Sequence, residues 1–242
     1  MTTDQILKGV SAAAAHLCSD DKAMYDYMVK TQRRASSDRS LGEILGALTV
    51  CLRDDLLAEE AKKNGTSVQK KALERIAKNR SPVKKGFMCG TFRTKDGNRA
   101  VCDGFRVVRI TDPAVVMPAD AAEVSNDPLD VTAAYDSGVS ISPCVNIPRV
   151  SELRAMIREA RAQHKGAPGK KSSFSAVYRL DGKSGRSAYV NAEFLVDMQE
   201  ALPGATIMVS GRNAAQFYAA DGDGLLCGVK QSALSSYHAL NF

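Results

Sequence analysis

The last third of the chain has the rhythm that most constrains the fold. "FSAVYRL" and "SAYVN" read as strands around the turn "DGKSGR", and "AEFLVDMQEAL" reads as a helix ended by "PG". "ATIMVSG", "AAQFYAA" and "LLCGVKQ" follow as three short strands separated by "RN" and "DGDG". Strands in this β–β–α–β–β–β order predict an antiparallel sheet covered on one face by a helix. The fold class is therefore α+β.

The first 80 residues carry a different period. Apolar residues recur at helical spacing in Ile6, Val10 and Leu17, in Leu41, Ile44, Leu48, Leu52 and Leu56, and in Val68, Leu73, Ile76 and Ala77. Breaks fall at "CSDDK", where Ser19 and Asp20 offer helix caps, at "RRASSDRS" and at "KNGTS". Three or four helical segments are expected, with a helical region over residues 1–65 and an α+β domain over 66–242.

Between these parts, Gly86 to Ile110 alternates as half-buried strands, with Asp96-Gly97 in "TKDGNR" as the hairpin turn. Residues 111–150 are proline-rich and acidic, a loop-rich insertion with room for one strand at "GVSIS". In "VSELRAMIREARAQH", Val150, Leu153, Ile157 and Ala160 share a helical face, and Arg154, Arg158 and Arg161 lie off it.

The positive charge, +6 overall, is not spread evenly. Residues 81–112 carry +4 and 151–186 carry +6, separated by −4 over 113–150. Basic blocks of this kind attract phosphate backbones by counterion release, and they are also ordinary on solvated surfaces. With no Trp and 6% aromatic residues, a base-stacking platform for single strands is disfavoured.

Six cysteines are dispersed without a CxxC pair and the three histidines, His16, His164 and His238, stand far apart, so no zinc site and no cofactor are expected. No basic leader precedes the first apolar patch, and no apolar run reaches the ~18–20 residues of a membrane span, so the expectation is a soluble cytoplasmic protein without a membrane partner. "GKSGR" and "GAPGKKSS" lack phosphate-loop spacing, and "DGDG" lacks the ligands of a calcium loop, so it reads as a hairpin turn. Cys102 beside Asp103 would need a histidine in space to act as a nucleophile. Asp96, Asp103 and Glu193 are the carboxylates that a magnesium-dependent nuclease would draw on, with nothing in their spacing to recommend them.

Two segments carry a resemblance. In "AVCDGFRVVRI", Asp103, Gly104 and Arg106 match the Asp–Gly–His–Arg strand of bacterial sliding clamps, the DNA polymerase III β subunits, with Cys102 and Phe105 in place of a threonine and the histidine. In "NAEFLVD", Asn191, Phe194, Leu195 and Asp197 match the opening of the helix in the last clamp repeat. Leu226, Gly228, Val229 and Lys230 stand where its closing strand has apolar–Pro–apolar–Arg. The likeness covers residues 66–112 and 172–232. It implies a single DNA-clamp-like domain of antiparallel sheet with covering helices, following a helical N-terminal region.

What the resemblance implies about function is a non-catalytic scaffold rather than an enzyme. Partners would be double-stranded DNA, held through its backbone, and peptides of replication proteins, with a homo-oligomer closing a ring. Carried over by position, a peptide groove would include Phe105, Arg106, Val107, Leu226 and Val229. The DNA-facing cations of the two basic blocks would be Lys84, Lys85, Arg93, Arg99, Arg154, Arg158, Arg161, Lys170 and Lys171. The alternatives are a clamp-fold interaction module that does not encircle DNA and, further off, the metal-dependent nuclease.

Overall fold

The computed structural model of the protein describes residues 2–15, 26, 41–79, 90–118, 123–124, 140–164 and 174–241. Its N-terminal part is helical: α1 (Thr3–Ala15), α2 (Leu41–Lys63) and α3 (Ser67–Lys78). The break between α2 and α3 falls at "KNGTS", where Gly65 takes φ +72°. The caps proposed at Ser19 and Asp20 lie outside the described residues. α1 packs on α2, whereas α3 packs chiefly on a helix from the far end of the chain. Leu73 and Ile76 are fully buried as the periodicity requires, but Val68 is 58% exposed, because the buried stripe of α3 runs through Gln69, Lys70, Ala72, Leu73 and Ile76 instead.

A three-stranded meander follows: β1 (Gly90–Arg93), β2 (Arg99–Cys102) and β3 (Arg106–Ile110). The β1–β2 turn is the one read from "TKDGNR"; Gly97 has φ +81° and donates to the Thr94 carbonyl at 2.9 Å. The insertion contributes two short strands, β4 (Glu123–Val124) and β5 (Ile141–Pro143), the latter overlapping the end of "GVSIS". Then come α4 (Val150–Gln163), β6 (Ala176–Asp181), β7 (Ser187–Asn191), α5 (Ala192–Ala201), β8 (Thr206–Ser210), β9 (Ala214–Ala219) and β10 (Gly222–Cys227). A 3-10 turn at Gln231–Ser236 and β11 (His238–Ala239) complete the described chain.

The element order of the last third is the expected one, and its sheet assignment is not. Strands β8, β9 and β10 join the meander in one eight-stranded sheet, ordered β4-β1-β2-β3-β10-β9-β8-β5 and antiparallel except at β4, which runs parallel to β1. β6 and β7 belong to a second, three-stranded sheet, β11-β6-β7. α5 packs on both sheets, touching β3 and β10 on one and β6 and β7 on the other. Its buried Leu195 and Met198 thereby join Val108, Ile110, Phe217 and Leu226 to Ala176, Leu180 and Val190 in one core.

The hairpin turn expected at "DGDG" is made by Ala220 and Asp221 between β9 and β10, and the rest of the segment continues into the strand. Gly222 and Gly224 lie inside β10, on the core face. A Cβ on Gly224 would stand 2.5 Å from Met198 Cε and 2.9 Å from Leu202 Cδ1, so a side chain there would force both to shift where the end of α5 presses on the strand. On the opposite face of the sheet a small cluster of Phe92, Ala100, Cys102 and Val107 is buried as well, with Leu225 packed against it. Cys102 is thus a small core residue, facing away from Asp103.

Candidate functional site: an arginine cleft and an aromatic cleft around α5

The residues of "RAVCDGFRVVRI" are committed to an ion-pair network. Asp103 and the Arg106 side chain are within 2% of complete burial. Asp103 Oδ1 accepts from the backbone amides of Phe105 (2.9 Å) and Arg106 (2.8 Å), and Oδ2 accepts from Arg106 Nε (3.0 Å) and Asn79 Nδ2 (2.8 Å). Gly104 between them takes φ +81°, a conformation that favours glycine, and this lets the turn fold back onto its own carboxylate. Arg106 then reaches α5, donating to Asp197 Oδ2 at 2.6 Å. The Asp–Gly–x–Arg pattern is therefore a β-turn lock joined to a helix.

This accounts for the fate of the five groove residues. Arg106, Val107 and Leu226 are 3%, 3% and 0% exposed. Arg106 pairs with Leu226 across β3 and β10 on the core face, while Val107 points to the opposite face. None of the three is reachable by a peptide, because α5 covers the face of Arg106 and Leu226 and the Phe92, Ala100 and Cys102 cluster packs around Val107 on the other. Phe105, at 39% exposed, and Val229 do come together. With Asn191, Phe194, Ala233 and Tyr237 they line a cleft of about 560 Å³. The Phe105 and Phe194 rings lie 5.8 Å apart, and the Arg106 guanidinium sits 4.0 Å over Phe194, beneath the cleft.

A second cleft, of about 610 Å³, opens between α3, α4 and α5 and is lined by Arg75, Arg154, Arg158, Arg161, Glu193 and Asp197, among others. α4 is held by its buried face, Leu153, Ile157 and Ala160, and its start is capped by Glu152, which accepts from the Arg149 amide at 3.0 Å. The spacing of four and three residues then stacks Arg154, Arg158 and Arg161 on one exposed side. α5 starts at Asn191, whose Oδ1 accepts from the amides of Glu193 (2.9 Å) and Phe194 (3.1 Å), and it presents Glu193, Asp197 and Glu200 at the same spacing.

The two rows meet as antiparallel partners. Arg154 pairs with Glu200 at 2.7 Å and Arg161 pairs with Glu193. From α3, Arg75 bonds Asp197 and Glu200, each at 2.5 Å. Burial opposes the charge on Arg75, but the hydrogen bond and attraction of Asp197, reinforced by Glu200, outweigh it and raise its pKa. Asp197 links both clefts, since it also holds Arg106.

The other basic residues are elsewhere. Arg93 and Arg99 are cross-strand partners beside the β1–β2 turn; Arg93 donates to the Gly97 carbonyl and Arg99 to that of Asp112. Neither lines the arginine cleft. Lys84, Lys85, Lys170 and Lys171 lie outside the described residues. The three carboxylates of the nuclease reading are dispersed: Asp96 sits on the β1–β2 turn, Asp103 is locked under β3, and Glu193 opens α5. Among the described residues no three His, Cys, Asp or Glu side chains gather as metal ligands.

Three contributors had no role in the sequence reading. Arg75 and Glu200 are ordinary charged positions on helices until α3, α4 and α5 are packed together. Asn213 has a local signal, an Asn closing a tight hairpin, and takes φ +54°. Its side chain accepts from Tyr189 N at 2.8 Å and donates to the Val229 carbonyl at 2.7 Å, tying β7 and the wall of the aromatic cleft to the β8–β9 turn. Comparison with protein-family models, with curated proteins and with solved structures finds no match.

Proposed function

We propose that the protein is a non-catalytic, sliding-clamp-like scaffold that holds double-stranded DNA by its phosphate backbone. The observation that carries the reading is the gathering of Arg154, Arg158 and Arg161 with Arg75 on one helix-lined cleft. Arginine forks on a regular helical row match phosphate oxygens without reading bases. The β7–α5–β8–β9–β10 order, with α5 spanning two sheets, supports the clamp-like part. Replication is the process that this likeness suggests.

The test is anisotropy of a labelled duplex across a salt series. Binding should weaken steeply between ~50 and ~200 mM salt, and the R154Q/R158Q/R161Q triple variant should flatten the log–log slope by at least about 0.9, the value of one phosphate contact. Absent binding, or an unchanged slope, would overturn the reading.

A second reading keeps the scaffold and dispenses with encirclement. It is favoured by the aromatic cleft, where Phe105 and Val229 offer apolar surface beside α5. Among the described residues the strands ending the large sheet span two and three positions, β4 and β5, which is little edge for pairing with another copy. Light scattering separates the two: a closed homo-oligomer favours the ring, a concentration-independent monomer the module.

A further inference from the structure

The antiparallel facing of α4 and α5 leaves one position out of balance. Arg154 meets Glu200 at one end and Arg161 meets Glu193 at the other, so the middle arginine, Arg158, falls opposite Asp197. Asp197 is already engaged, with Arg75 on Oδ1 and Arg106 on Oδ2. Among the described residues Arg158 has no carboxylate partner, although it lines the same cleft and carries an always-charged fork of donors. Apart from the charged rows and Arg75, the lining residues are Ser151, Ile157 and Val196.

We infer that the centre of this cleft is a socket for a single phosphate group, with Arg158 as its direct ligand. Arg154 and Arg161, exposed by 52% and 58% at their side chains, close on it from either end by exchanging Glu200 and Glu193 for phosphate oxygens. The inference rests on the proposed backbone binding and deepens it. Contact strength should be concentrated at Arg158, and the α5 carboxylates should act as internal competitors for the anion.

The experiment uses the full chain and pairs each variant with one of equal charge outside the cleft. R158Q is compared with R212Q, at the exposed β8–β9 turn, and E193Q with E159Q, on α4 but off the cleft lining. For labelled duplex at ~0.1 M salt, R158Q should cost about tenfold in affinity and about 0.9 in slope, clearly more than R212Q. E193Q, which releases Arg161, should tighten binding more than E159Q. In parallel, inorganic phosphate is titrated while the arginine side-chain N–H resonances are followed by NMR. Saturable movement of the Arg158 signal without duplex binding would support the socket and sink the DNA reading. Duplex binding with R158Q equal to R212Q, and E193Q equal to E159Q, would overturn the socket and leave the DNA reading standing. Neither ligand binding would end both.

Discussion

Replacing Asp103 by Ala tests whether the Asp–Gly–Phe–Arg turn is a structural lock rather than part of a reactive or docking surface. The carboxylate is fully buried and accepts from two backbone amides, the Asn79 amide and the Arg106 guanidinium, which is itself buried. Its removal strands those donors and leaves Arg106 with Asp197 as its remaining carboxylate. Breaking one side of a buried ion pair costs about 3–5 kcal/mol, so the urea midpoint should fall by ~1.5–2.5 M for an m-value near ~2 kcal/mol/M. D103N keeps an acceptor for the amides of Phe105 and Arg106 but loses the charge, and should cost less, about 2–3 kcal/mol. Unfolding followed by circular dichroism, with unchanged m, checks both values. A D103A midpoint within ~0.3 M of the wild type would mean that the pair is solvated, and would refute the lock.

Three further outcomes follow from the same packing. G224A should destabilise by about 1–3 kcal/mol in the same denaturation assay, because its methyl would overlap Met198 on α5 and Leu202 just after it. N191A should cost about 0.5–2 kcal/mol by removing the acceptor for the first amides of α5, with N191D retaining most of it. The pKa of Asp96 is lowered by the Thr94 hydroxyl, against the cost of its desolvation, with help from Asn98 and Arg109. A depressed folded-state pKa stabilises above the unfolded value of ~3.9 and is lost as pH falls through the folded one. The stability gap between wild type and D96N should accordingly be present at neutral pH and close under acid, as read by thermal unfolding across a pH series.

Much of the candidate site could be read without the structure, and the part that could not has a common cause. The arginine row on α4 follows from helical period, as does the Asn191 cap from the chemistry of a short acceptor before an apolar run. What each arginine faces does not follow, because Glu193, Asp197 and Glu200 are thirty or more residues away and their approach depends on how α5 packs. The groove residues illustrate the same limit: Phe105 and Val229 meet in a cleft, while Arg106 and Leu226 are covered by α5 and Val107 by the small cluster on the opposite face. "DGDG" helps to close the β9–β10 hairpin as its composition suggests, but that composition cannot reveal that its glycines continue into β10 with a helix end against the second of them.

Local chemistry therefore determined the helices α3, α4 and α5, the β1–β2 turn at Asp96-Gly97, the order of elements in the last third and the burial of Leu153, Ile157 and Leu195. These depend on residues within a few positions of one another, whose backbone preferences and period act before any distant contact forms. Folding in three dimensions settled the division of β6–β7 from β8–β10 into two sheets, the sharing of Asp197 between Arg75 and Arg106 and, among the described residues, the lack of a carboxylate partner for Arg158. Strand neighbours and ion partners are chosen by which buried faces and charges can be satisfied together. That choice is made among residues a hundred positions apart, such as Arg109 and Asp223, where no sequence period reaches.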